Sequence, residues 1–232
     1  MNDFENIIAD QFAFVKALKK TEEKSAILLR HKKLGTTVVV KTFDSDGCVY
    51  EMLSRISHPN LPKVYSVEKV GGKCRVIEEY IDGITVADVL LSGLYTLKGA
   101  KTVAKEVCSA LEVLHSMNII HRDIKPENVM IDSGGNVKLI DFDAARIYKH
   151  YRSLDTVFVG TAGFAAPEQF GINQTDPRSD IFSLGIFLNI MLTGEHPSKH
   201  LYEGRFRTVI EKCINIDPNK RYPTITELSG EL

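Results

Sequence analysis

The chain has 232 residues, of which 44% are hydrophobic, and its 29 basic and 30 acidic side chains leave a net charge of −1. That balance excludes a disordered or low-complexity chain and gives no general attraction to nucleic acid or to an anionic membrane. No apolar run approaches the ~18 residues of a membrane span, and no N-terminal stretch reads as a signal peptide.

In chain order, the first patterned segment is Val38-Val39-Val40-Lys41, a β-branched run that reads as a strand ending in a lysine. A helix is expected over 48–57, because Val49, Met52, Leu53 and Ile56 recur at helical spacing and make one apolar stripe. Glu51 is the only carboxylate in that stretch and lies about 200° from Val49 around the wheel, at ~100° per residue. Next comes Val76-Ile77-Glu78-Glu79-Tyr80-Ile81-Asp82-Gly83. Val103, Val107, Leu111 and Leu114 then mark a long helix.

The densest signal follows: His121-Arg122-Asp123-Ile124-Lys125-Pro126-Glu127-Asn128 and, shortly after, Asp141-Phe142-Asp143. Between them, apolar runs from Asn128 to Ile131 and from Val137 to Ile140 flank Asp132-Ser133-Gly134-Gly135-Asn136. Two strands joined by such a turn predict a hairpin that returns Asn128 and Asp141 to one edge. Further on stand Gly160-Thr161, Ala166-Pro167-Glu168, and Ser179-Asp180 opening an apolar helix that stops at Gly194 and Pro197. Hydrophobic all round, that helix is expected to be buried. Arg221 lies in Asp217-Pro218-Asn219-Lys220-Arg221.

The octapeptide is the H-R-D-x-x-x-x-N pattern, and with the later motifs it resembles the protein kinase family over nearly the whole chain. Lys125, two residues after Asp123, resembles the serine/threonine-directed branch, and the short stretch after Pro197 is similar to minimal bacterial kinase domains. The resemblance implies an α+β bilobal fold. A small, mainly antiparallel β lobe with one helix (about 1–80) and a hinge (about 79–83) precede a larger, mainly helical lobe (about 84–232). It implies a transferase that moves the ATP γ-phosphate to a Ser/Thr hydroxyl of a protein substrate with Mg2+.

Carried onto this chain, the resemblance makes Asp123 the group that orients or takes the hydroxyl proton and Lys125 a neutraliser of phosphate charge. Asn128 and Asp141 are the expected magnesium ligands, offering hard oxygens. Lys41 is expected on the α and β phosphates, Val39 and Met130 on the two faces of adenine, and the backbone from Glu79 to Ile81 along its edge. Glu168 is expected to pair with Arg221, Asp180 to hold the catalytic loop by its backbone, and Thr161 to contact Asp123. Among Tyr148, Tyr151, Ser153 and Thr156, the last is the regulatory candidate, since a phosphate there could pair with Arg122.

Three departures qualify the resemblance. The stretch that should carry the glycine-rich loop, Lys19-Lys20-Thr21-Glu22-Glu23-Lys24-Ser25, has no glycine, so close backbone approach to phosphate is not assured. Val49 falls where the family has the glutamate that partners the strand lysine. Lys41 then lacks its usual partner, or Glu51 reaches it through a shifted helix, or Glu78 helps hold it, since a carboxylate buried at that position needs a partner. Asp143 replaces the glycine after Asp-Phe and restricts the backbone there.

Two other functions remain open. A pseudokinase that binds nucleotide or a partner and signals by conformation suits the altered loop and Val49. A small-molecule phosphotransferase fits less well, because Ala166-Pro167-Glu168 and its arginine are not usual there. Cys48, Cys74, Cys108 and Cys213 lack metal-ligand spacing and suggest reduced thiols in a cytoplasmic protein.

Overall fold

The computed structural model describes residues 10–21, 23–148, 160–170 and 175–232. The chain divides into two compact units, Met1–His58 with Pro62–Ile81, and Pro59–Leu61 with Asp82–Leu232.

The first unit is an antiparallel sheet of five strands: β1 (Phe12–Lys20), β2 (Lys24–His31), β3 (Thr37–Phe43), β4 (Val64–Val70) and β5 (Lys73–Glu79). They lie in the order β1-β2-β3-β5-β4. The β4–β5 hairpin closes over two glycines, Gly71 and Gly72, at φ 58° and 82°. Two positive φ values in a two-residue loop match the right-handed twist of the flanking strands, and glycine takes them without strain. Leu29, Val38 and Val40 are buried together, with Phe12, Ile27 and Ile77 against them.

Helix α1 (Cys48–Leu53) of this unit is shorter than its sequence pattern suggests. Arg55 and Ile56 already bond three residues back, to Met52 and Leu53, and Ser54 donates its hydroxyl to the Glu51 carbonyl. Such local bonds compete with the helical ladder and end it. With fewer than two turns, the predicted stripe does not form as drawn. Tyr50 and Leu53 are the buried side chains.

The second unit is mainly helical. Helix α2 (Val86–Leu90) follows β6 (Gly83–Thr85) and is opened by a reciprocal capping box of Thr85 and Asp88. Helix α3 (Leu97–Ser116) starts on Thr96, whose hydroxyl accepts from Gly99 N–H at 3.1 Å. It buries Val103, Val107, Leu111 and Leu114, as its periodicity predicts. Helix α4 (Arg178–Thr193) buries most of its residues and ends at Gly194, φ 75°. Its buried Asn189 is satisfied by accepting from Tyr202 N–H and donating to the carbonyls of Glu195 and His200. Helices α5 (Arg207–Cys213) and α6 (Ile225–Glu231) pack on α4 and α3 respectively.

Short strands complete the unit: β7 (Ile119–Ile120) pairs with β10 (Arg146–Ile147), while β8 (Val129–Asp132) lies between β6 and β9 (Val137–Leu139). No helix among the described residues is long and apolar enough to cross a membrane.

Candidate active site

The β8–β9 hairpin forms as expected, with Val129 opposite Leu139 and Ile131 opposite Val137. Asp132 closes its turn, accepting from Gly134 and Asn136 N–H through one oxygen. One register step beyond Val129, Ile140 N–H donates to the Asn128 carbonyl at 2.9 Å. Asn128 and Asp141 thereby stand at the same end of the hairpin.

Around Asp123 the side chains converge. Thr161 donates its hydroxyl to Oδ1 at 2.6 Å. Oδ2 meets Lys125 Nζ at 2.8 Å and accepts from Asn128 Nδ2 at 2.8 Å. The same Nδ2 also donates to the Asp123 carbonyl. With its amide protons used this way, Asn128 has only its Oδ1 left to offer a ligand. Lys125 Nζ also reaches Thr161 Oγ1, at 2.6 Å.

This turn is held in a backbone shape that side chains rarely adopt. Arg122 and Asp141 both have φ 65°, at a cost on the order of 1–3 kcal/mol each. For Arg122 the constraints are explicit. Its N–H donates to Asp180 Oδ1 at 2.8 Å, its Nε to the Ala144 carbonyl at 2.7 Å, and its carbonyl accepts from Gln169 Nε2 at 3.0 Å. Asp180, fully buried, also accepts from His121 N–H at 3.0 Å and meets His115 Nε2 at 2.8 Å. Burial pushes its carboxyl up, but the bonds and charges of His115 and His121 outweigh this and leave it below the ordinary value.

His121 is buried edge-on to Phe142, ring centroids 5.2 Å apart. Its Nδ1 takes Asp123 N–H at 3.4 Å and its Nε2 faces the Ile140 carbonyl at 3.2 Å, which fits a neutral ring protonated on Nε2. Burial holds its pKa down against the surrounding carboxylates. Burial and the neighbouring Arg146 charge lower Arg122 to about 10, which leaves it a cation near neutrality.

A buried pair fastens the segment after Thr161. Arg221 donates to both oxygens of Glu168, at 2.7 and 2.9 Å, and Ser179 Oγ donates to Oε1 at 2.7 Å. Fork-to-carboxylate geometry of this kind is specific as well as strong.

In the sheet unit, Val39 lies opposite Glu78 across β3 and β5, and Lys41 opposite Val76. Lys41 is thus the diagonal neighbour of Glu78 on the face it shares with Val39. Its Nζ is 2.7 Å from Glu78 Oε1. Glu51 is exposed. Of the two carboxylates considered for Lys41, Glu78 is the one in contact. Glu79 ends β5 and spends its N–H on the Lys63 carbonyl, and Ile81 is buried beyond it. Met130 sits half-buried on β8, opposite Thr85 and Lys138.

The turn without glycine, after β1, is closed locally. Thr21 N–H donates to the Lys24 carbonyl at 2.8 Å, and Lys24 N–H donates to Thr21 Oγ1 at 3.0 Å. Tyr151, Ser153 and Thr156 lie outside the described residues. The four cysteines are free thiols.

Four residues of these networks escaped the sequence reading. His115 and Gln169 carry no periodic signature, and Gln169 differs from any surface glutamine only by following Ala166-Pro167-Glu168. Asn60, which bonds Glu106 and the Val137 carbonyl, was visible only as part of His58-Pro59-Asn60. Tyr50 was hidden by the assumption of a longer helix.

Residues 13–231 match the protein kinase domain family. Among curated proteins the chain is similar to serine/threonine-protein kinase SIK2 of Gallus gallus, 30% identical across 87% of this chain and 29% of that protein. It is also similar to SIK1 of Mus musculus, 31% identical across 84% and 29%. PknB of Mycobacterium tuberculosis is 32% identical across 76% and 33%. The chain spans about a third of the length of these relatives.

Proposed function

This chain belongs to the protein kinase family, and we propose that it is a serine/threonine protein kinase that moves the γ-phosphoryl group of ATP to a protein hydroxyl. The observation that carries this reading is the Asp123 carboxylate, gripped by Thr161 on one oxygen and by Lys125 and Asn128 on the other. Phosphoryl transfer asks a protein for positioning and charge stabilisation more than for covalent chemistry. A carboxylate so held can aim at an incoming hydroxyl and take its proton. Lys125 supplies positive charge beside it.

Magnesium fits the donors offered: the Asn128 amide oxygen and the Asp141 carboxylate at one hairpin end are hard oxygens, and such ions complete their shell with water and phosphate. Bound there, the ion would neutralise charge on the β and γ phosphates. For the nucleotide we assign Lys41 to the α and β phosphates, Val39 and Met130 to the adenine faces, and the Glu79 carbonyl and Ile81 backbone to its edge. Val39 and Lys41 are two residues apart on one strand, so they share a face. We assign 1–80 to a small lobe, 79–83 to the hinge and 84–232 to a large lobe. Four free thiols favour a cytoplasmic setting. The serine/threonine assignment rests on Lys125 and on the names of the similar kinases.

A second reading, nucleotide binding without transfer, is favoured by one observation, the glycine-free turn closed by Thr21 and Lys24. Incubating the purified chain with Mg-ATP and mapping phosphate by mass spectrometry separates the two. Phosphate on serine or threonine supports the kinase. Nucleotide binding with no phosphorylated product, on this chain or on a generic basic protein, supports the second.

A further inference from the structure

We infer that Glu78 is the positioning residue for Lys41, so that the nucleotide lysine of this chain is set by the sheet and not by helix α1. The inference deepens the kinase reading and rests on it. Lys41 and Glu78 sit on neighbouring strands of one sheet, diagonal to each other on one face, with Nζ 2.7 Å from Oε1. Both are withdrawn from solvent: the side chains are 15% and 6% exposed. A buried charge in that setting needs its opposite, and the two hold each other's geometry.

The carboxylate is itself carried by the sheet. Strand β5 lies between β3 and β4, and Glu78 has Val39 opposite it on one side and Val64 on the other. The backbone that carries the carboxylate is thus flanked by a strand on each side, one residue before β5 ends at Glu79. Helix α1 contributes no carboxylate to the pair. It has only six residues, Glu51 is exposed, and the side chains it buries are Tyr50 and Leu53. The Tyr50 ring leans on Phe43 at 5.4 Å and lies 5.9 Å from Lys41 Nζ. The lysine therefore keeps its position through any rearrangement of α1 that preserves the sheet.

The test compares wild type with Glu78→Gln, Glu78→Asp and Glu51→Gln, reading kcat and KM for ATP, with the thermal unfolding midpoint reporting that each variant is folded. Glu78→Gln is expected to lower kcat/KM for ATP on the order of tenfold or more, because it removes the negative charge that Lys41 Nζ meets at 2.7 Å in a half-buried setting. Glu78→Asp is expected to recover part of that loss, and Glu51→Gln to stay within about twofold of wild type, as an exposed charge should. Equal activity of wild type and Glu78→Gln, or an equal loss in Glu51→Gln, overturns the inference. Should wild type transfer no phosphate, the kinase reading fails separately, and the shift in unfolding midpoint on adding Mg-ATP decides. A shift present in wild type and lost in Glu78→Gln supports the positioning role; a shift kept in both, or absent from both, overturns it.

Discussion

The carboxylate of Asp180 receives the backbone N–H of Arg122 at 2.8 Å, from inside helix α4, and so holds a residue at φ 65°. The same carboxylate takes the N–H of His121. Removing it orphans two buried donors and releases the strained turn. Asp180→Ala is expected to lower stability by about 2–6 kcal/mol, at roughly 1–3 per unsatisfied donor. Urea denaturation checks this, and a change below about 0.5 kcal/mol, the scatter of a neutral surface substitution, would contradict it.

His121 predicts a pH dependence of stability. Its folded pKa lies below the ordinary 6.5 because the ring is buried. Below that value the unfolded chain takes up a proton that the folded chain refuses. Its contribution is therefore fully present above pH 6.5 and is lost as pH falls toward the folded pKa, at up to about 1.4 kcal/mol per unit. Asp180 acts in the same direction, but only near and below its ordinary 3.8. Urea midpoints taken between about pH 7.5 and 5.5 should fall in wild type and fall less in His121→Phe, which cannot titrate. Parallel profiles would exclude His121 as the source.

The Glu168–Arg221 pair is bidentate and almost without solvent. Arg221→Met leaves a buried carboxylate uncompensated and is expected to cost about 3–5 kcal/mol. Adding Glu168→Met should restore much of that loss, since an apolar pair of similar volume needs no counter-charge. A thermal unfolding series of the two single variants and the double reads this directly; a double variant no more stable than Arg221→Met alone would count against it.

Gly83 marks a close approach of two strands. A Cβ added there would lie 2.1 Å from the Ile131 carbonyl oxygen, which belongs to backbone and cannot swing aside. Gly83→Ala should cost about 1–3 kcal/mol or more through displacement of β6 from β8. An unchanged unfolding midpoint would show that the strand yields freely.

Much of the second unit was legible in the sequence because its signals are local. The β8–β9 hairpin follows from two apolar runs and a Gly-rich turn, and α3 from a long, regular stripe. The pairing of Glu168 with Arg221 and the bonds of Asp180 to the 121–122 backbone came from motif order, not from spacing. What stayed hidden depends on three-dimensional register. Whether Lys41 meets Glu51 or Glu78 is decided by which residues of β3 and β5 face each other, and no local pattern encodes that alignment. Tyr50 was missed because a helical wheel needs more turns than α1 has. Gln169 and His115 act through single long-range hydrogen bonds, which leave no periodic trace.

The central claim is that Asp123 directs phosphate transfer, and comparing wild type with Asp123→Asn in the presence of radiolabelled Mg-ATP tests it most directly. The substitution keeps the side-chain shape beside Thr161, Lys125 and Asn128 while removing the acceptor charge. The account predicts serine or threonine labelling by wild type and a loss of at least about a hundredfold in the variant, the scale of a lost proton acceptor, with an unchanged fold. Labelling that persists undiminished in Asp123→Asn would contradict it.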